Sequence, residues 1–296
     1  MDLRAIFMGL AFALMWSSAF TSARMIVLDA PPLFALSVRF FLSGIIGVGI
    51  ALMLRQSWRL TRGQWRATII FGLCQNALYL GFNFVAMQWI EASVAAIIAS
   101  TLPLMVAAAG FLVLGDRLRP VAVLGLIAGF GGVIIIMGAR WGGGLDPLGL
   151  ALCVAGALAL TVATLALRGA SSGGNVMMVV GLQMLVGAAI LIGPALALEE
   201  ITVNWTPRLV LAFLYTTLVP GLAATWVWFM LVRRIGAVRG ATFHFLNPFF
   251  GVAIAALFLG EKLGLGDLIG VLVIMAGILA VQLSKTPAAA VQPKAP

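Results

Sequence analysis

Pro103-LMVAAAGFLVL-Gly115-Asp116-Arg117-Leu118 and, 145 residues later, Pro248-FFGVAIAALFL-Gly260-Glu261-Lys262-Leu263 are one pattern written twice. Each has a proline, eleven apolar or glycine residues, a glycine, an acid, a base and a leucine. The same offset carries Leu112 to Leu257, Leu114 to Leu259, Gly125 to Gly270 and Gly132 to Gly277. Nearer the N-terminus, an offset of 140 sets Gly9-Leu10-Ala11 on Gly149-Leu150-Ala151, and Thr21 on Thr161. The repeat unit is therefore half the chain.

Composition says what medium surrounds these repeats. Of the 296 residues, 63% are hydrophobic and 9% charged, where a soluble domain carries about a quarter charged residues. Water could not solvate so much apolar surface, whereas a bilayer can. Apolar runs between charged or Pro/Gly-rich breaks predict helices at 4–28, 32–54, 66–87, 92–114, 120–139, 147–168, 174–197, 207–232, 237–259 and 265–283. Helices are expected because lipid offers backbone groups no hydrogen-bond partners. The expected fold is an all-α membrane protein with ten transmembrane helices as two inverted five-helix repeats. The units are residues 1–140 and 146–283, with 284–296 a disordered cytoplasmic tail. An odd number of spans per unit makes the second enter the membrane from the opposite side.

Charge supports the count. Alternate loops collect Arg4, Arg55, Arg59, Arg62, Arg66, Arg117, Arg119, Arg168, Arg233, Arg234, Arg239, Lys285 and Lys294 on one side. The other side receives Arg140, Arg208 and Lys262 with most of the acids. The positive-inside rule then puts both termini in the cytoplasm. The net charge of +9 follows this rule and forms no nucleic-acid-binding patch. Cys74 and Cys153 both lie in apolar runs and read as packing residues.

Polar residues inside spans mark the face turned from lipid. Asn76, Tyr79 and Asn83 share one face of the third span, and Ser17 and Thr21, beside Trp16, one face of the first. Ser100, Thr161, Thr164, Gln183 and Trp228 extend the candidate cavity. For each Ser or Thr, a packing hydroxyl is the competing interpretation. Arg39 could hold a substrate carboxylate, or pair with Asp29 or helix-end carbonyls. His244, the single histidine, could carry a proton, contact substrate or pack. Arg24 is expected to reach the outer surface. Pro103 and Pro248 are hinge candidates, since proline removes a backbone donor. Gly125-x3-Gly129 and Gly266-x3-Gly270 fit close helix packing.

Ten spans, the five-plus-five repeat and the Pro-x11-Gly-Asp/Glu-Arg/Lys-Leu signature resemble the drug/metabolite transporter superfamily. Within it the chain is similar to the EamA type, and most nearly to YddG-like amino-acid exporters. The resemblance covers residues 5–283. It implies inner-membrane export of metabolites, aromatic and other neutral amino acids first, by alternating access without ATP. It also implies a cavity among spans 1–4 and 6–9, with spans 5 and 10 as scaffold. Small multidrug members use a glutamate in their first helix, which this chain lacks between Leu3 and Leu28. Carriage of another metabolite or drug, or a non-transporting role as a membrane assembly subunit, are the alternatives. The expected partners are a small-molecule substrate and the bilayer, with the chain a monomer or homodimer. No Walker A, HExxH, GxSxG or Cys/His metal cluster occurs, so an enzyme, a metal site and a bound cofactor are not expected.

Overall fold

Four of the spans are interrupted helices. In the computed structural model, which describes residues 2–140, 145–167 and 173–284, ten helices are long and apolar enough to cross a membrane. They are α1 Leu3–Val27, α2 Pro32–Met53, α3 Arg62–Ala86, α4 Ala92–Leu114 and α5 Pro120–Ala139. Then follow α6 Pro147–Ala166, α7 Val176–Leu198, α8 Pro207–Ile235, α9 Arg239–Leu259 and α10 Leu265–Ser284. All regular structure among the described residues is helical. Arg168, Lys285, Lys294 and the tail beyond Ser284 lie outside the described residues.

Breaks in helix geometry fall in corresponding spans. A π-helical stretch occupies Gly72–Leu80 in α3 and Val219–Ala223 in α8. α4 is interrupted at Thr101 before Leu102–Leu114, and α9 has a 3-10 turn at Phe243–Leu246 before Asn247–Leu259. Pro103 and Pro248 lie in the first turn of those second segments, where a missing N–H costs least. Both segments end on a left-handed glycine, Gly115 at φ 69° and Gly260 at φ 68°, a backbone state closed to most side chains.

The contacts repeat as well. α1 packs on α8 and α9, as α6 packs on α3 and α4, while α2 pairs with α7, α4 with α9 and α5 with α10. Exchanging the first five spans with the last five leaves this list unchanged. Small residues permit the tightest pairs. A Cβ on Gly277 would stand 2.6 Å from the Gly125 carbonyl oxygen, and one on Gly181 2.7 Å from the Val48 nitrogen. Large apolar side chains such as Leu112, Val113, Leu257 and Phe258 point outward, as a lipid-facing surface requires.

Span limits differ from expectation chiefly at α3. It begins at Arg62 rather than residue 66 because Thr61 and Gln64 form a reciprocal capping box, Thr61 N–H to Gln64 Oε1 at 2.8 Å and Gln64 N–H to Thr61 Oγ1 at 3.3 Å. α8 runs on to Ile235. Ser284, expected in the tail, is the last helical residue of α10.

The ends of the bundle differ. The end carrying Asp29, Glu91, Glu199 and Glu261, here the acidic end, is clasped by side chains that join the first five spans to the last five. Glu199 accepts the Leu33 and Phe34 N–H groups at 2.8 and 2.9 Å, and Glu261 those of Ala92 and Ser93 at 2.8 and 3.0 Å. Each carboxylate thus sits on the positive end of a helix dipole. Arg140 donates to Asp267 at 2.8 Å and to Glu91. Asp29 accepts from Arg208 at 2.9 Å and Thr206 at 2.9 Å. The Arg208 guanidinium holds the Asp29 carboxyl below the usual carboxylate range. At the opposite, basic end, Gln56 accepts the Met178 N–H at 3.0 Å and Arg234 pairs with Asp2.

Candidate functional site

A cavity of about 600 Å³ lies between the two groups of five spans, a size typical of small-molecule sites. Its wall comes from α1, α2, α3, α4, α6, α7, α8 and α9, with nothing from α5 or α10. That division follows from packing, since α5 and α10 pair tightly with each other.

The wall grades along its length. Toward the acidic end Phe20, Ala23, Asn83, Phe84 and Met87 are buried, whereas Thr164, Val176, Thr225, Trp228 and Phe229 toward the basic end are half-buried. Wall residues toward the clasped end are thus more buried than most toward the basic end, where Gln64 is an exception.

Of the sequence candidates, Trp16, Arg39, Asn76, Tyr79, Asn83, Thr164, Gln183, Trp228 and His244 line the cavity. Asn76, Tyr79 and Asn83 share a buried face as their spacing indicates. Asn76 Nδ2 donates to the Gln183 carbonyl at 2.8 Å, and Asn83 Nδ2 to that of Tyr79 at 2.7 Å. Ser17, Thr21, Ser100 and Thr161 lie off the wall. Ser17 reaches the Asn247 carbonyl at 3.3 Å, while Ser100 and Thr161 bond their own helices at 2.7 and 2.8 Å. Thr21 Oγ1 is buried without a partner.

Three pairs of rings join α1, α8 and α9 to one another. Phe12 lies 4.9 Å from Trp228 and meets His244 edge-on at 5.3 Å, and Trp228 lies 5.4 Å from His244. Asn247 Nδ2 is 3.0 Å from His244 Nδ1. His244 is thereby both packed and on the cavity wall. Phe12, Phe20, Phe71, Gln75 and Phe229 were not singled out from the sequence, because an aromatic in an apolar run carries no facing signal by itself and Gln75, next to Asn76, falls outside the helical spacing that Asn76 and Asn83 share. The wider π-helical turn places neighbouring Gln75 and Asn76 together on the wall.

Arg39 reaches neither partner that could have neutralised it. Asp29 is taken by Arg208, and the Arg39 guanidinium makes no hydrogen bond or ion pair among the described residues. Among the described residues its charge is met by the Phe40 ring, 5.1 Å from Cζ. Arg24, expected at the outer surface, is half-buried, with Nη1 buried and unpartnered. None of the nine acids lies deeper than the first turn of a span.

The sequence profile of the EamA-like transporter family matches twice, over residues 3–138 and 147–283. The chain belongs to this family. The EamA-like chain is 26% identical over 272 residues to the uncharacterized transporter YvbV of Bacillus subtilis, covering 91% of this chain and 88% of that one. It is 25% identical to a protein of Salmonella typhimurium named "Probable amino-acid metabolite efflux pump", covering 92% of both. The aromatic amino acid exporter YddG of Ancylobacter novellus is 28% identical over 139 residues, 47% of this chain and 48% of that one. A solved crystal structure superposes with a TM-score of 0.69 at 22% identity, covering 95% of this chain and 96% of the other, which supports the shared fold. The protein is a multi-pass membrane transporter, not an enzyme.

Proposed function

We propose that this EamA-like protein exports small metabolites, aromatic and other neutral amino acids first, across the inner membrane by alternating access. The observation that carries this reading is the cavity itself. Its aromatic rings suit an apolar body, and Arg39, Asn76 and Gln183 suit a polar head. The aromatic amino acid exporter and the probable amino-acid metabolite efflux pump among the relatives support this reading.

In this reading residues 3–138 and 147–283 are inverted repeats, and both termini are cytoplasmic. The basic end then faces the cytoplasm, and the cavity receives substrate from that end. Opening to the other side requires the acidic clasp to part, with Pro103 and Pro248 bending in concert. Among the described residues no carboxylate lines the cavity, which supports flux down an existing gradient as the energetic mode, with His244 the remaining proton-carrying group.

Counterflow in proteoliposomes across a panel of labelled amino acids tests the reading. Exchange is expected for aromatic and neutral members, falling about tenfold or more on Asn76→Leu with Asn83→Leu, which remove hydrogen bonds the occupant would use. Absence of exchange for every amino acid, by protein that is folded and correctly inserted, defeats it.

A further inference from the structure

Arg39 stands seven residues beyond the first residue of α2 and is 6% exposed, and its Nε has no hydrogen-bond partner. A buried guanidinium is costly unless an anion meets it. Among the described residues no Asp or Glu lines the cavity wall, and Asp29 and Glu199, at the end where α2 starts, are committed to Arg208 and to the start of α2. Gly221, in the π-helical stretch of α8, lies beside the charge: a Cβ there would meet the Thr216 carbonyl oxygen at 3.1 Å and stand 3.6 Å from both Arg39 Nη2 and Ser43 Oγ, which is also unpartnered. Arg39 thus brings an unsatisfied donor to the wall of a cavity, beside a glycine, with the fully buried Ser43 behind it.

Resting on the carrier reading above, we infer that the occupant is recognised as an organic monoanion: its carboxylate pairs with Arg39, its apolar body lies on the rings, and an amine is dispensable. The charge balance drives this. A carboxylate on Arg39 leaves the cavity neutral, and the planar guanidinium can donate twice to it. A zwitterion brings an ammonium as well, for which the wall offers amide oxygens and ring faces but no counter-charge. Capping the amine removes a charge the cavity cannot balance, whereas removing the carboxylate leaves Arg39 as unpaired as before.

The test compares phenylalanine, N-acetylphenylalanine and phenylalaninamide with the full-length protein. Binding is read by quenching of tryptophan fluorescence in detergent, and transport by competition in counterflow. N-acetylphenylalanine should bind at least as tightly as phenylalanine, and phenylalaninamide about tenfold or more weakly, the scale of a hydrogen bond to a charged group. Arg39→Gln should erase the preference for the carboxylate, and Arg39→Lys should keep part of it. The wild-type series stands without either variant, should one fail to fold. Equal binding of phenylalanine and its amide, with rejection of the acetylated form, overturns the inference and leaves amino-acid carriage intact. The same preference in folded Arg39→Gln as in wild type also overturns it. Failure of all three probes to bind or move defeats the inference and the aromatic amino-acid reading together.

Discussion

The acidic and basic ends of the bundle solve one problem with different chemistry. At each, the start of a span must find acceptors for its free N–H groups. At the acidic end the acceptors are carboxylates, Glu199 on α2 and Glu261 on α4, reinforced by Arg140 with Asp267 and Arg208 with Asp29. At the basic end the corresponding acceptor for α7 is the neutral amide of Gln56. The basic end also has a charged pair across the halves, Arg234 with Asp2, but both side chains there are well exposed, whereas Asp29 and Asp267 are buried, so the stronger clasps lie at the acidic end. The cavity wall grades from buried to half-buried in the same direction. The difference teaches that the resting direction of access can be set by side chains at the ends, away from the substrate wall.

The largest effect expected is in accessibility. In a background with Cys74 and Cys153 replaced, single cysteines at Thr164 and Val176 should react with a water-soluble thiol reagent at least about tenfold faster than cysteines at Ala23 and Met87. That ratio corresponds to about 1.4 kcal/mol of opening free energy at the clasped end. Equal rates at all four positions would erase the contrast between the ends.

The second effect sharpens the contrast by removing a clasp. The Arg140 side chain is 13% exposed and that of Asp267 5%. Arg140→Ala strands Asp267 and should cost about 3 kcal/mol of unfolding free energy. Replacing both, Arg140→Met with Asp267→Leu, should cost less than the single change, because no buried charge is left alone. The single change should also raise the thiol reactivity of the Met87 position. A double variant less stable than Arg140→Ala would show that this pair is more than a clasp.

The bundle was legible from the sequence because lipid leaves one way to satisfy a backbone, and because Pro-x11-Gly-acid-base-Leu is a local geometry as well as a pattern. Gly115 and Gly260 end their helices with nearly the same φ. The site was legible where side chains cannot be left in lipid, as with Arg39, Asn76 and Asn83. It was not legible for Ser17, Ser100 and Thr161, because a hydroxyl bonded to a backbone carbonyl needs no cavity. The clasps were beyond reach for another reason. Arg140 and Asp267 are 127 residues apart, and loop charges in a sequence declare a side of the membrane without declaring a partner. Thr61 and Gln64 did carry a start signal, and Arg62 and Arg66 masked it by resembling a loop.

The smallest effect separates charge from hydrogen bonding at the two ends. Glu199 presents two oxygens to the adjacent Leu33 and Phe34 N–H groups, whereas Gln56 presents one to Met178. Removing each acceptor with alanine should therefore cost unequally, about 2 kcal/mol for Glu199→Ala and about 1 kcal/mol for Gln56→Ala. Glu199→Gln is the informative intermediate. It keeps one oxygen but turns an NH2 toward the second N–H group, setting donor against donor, and it removes the negative charge from the helix N-terminus. If the clasp works through charge at the dipole, Glu199→Gln should approach the alanine variant. If it works through one hydrogen bond, Glu199→Gln should approach wild type, and Gln56→Glu at the other end should add nothing. With charge in control, Gln56→Glu should instead stabilise the start of α7 by about 0.5 kcal/mol and slow thiol labelling at Val176. Unfolding by denaturant in detergent and labelling in membranes read the two predictions separately. A matching stabilisation and slowing at the basic end would show that the asymmetry of the two ends can be transferred by one charge.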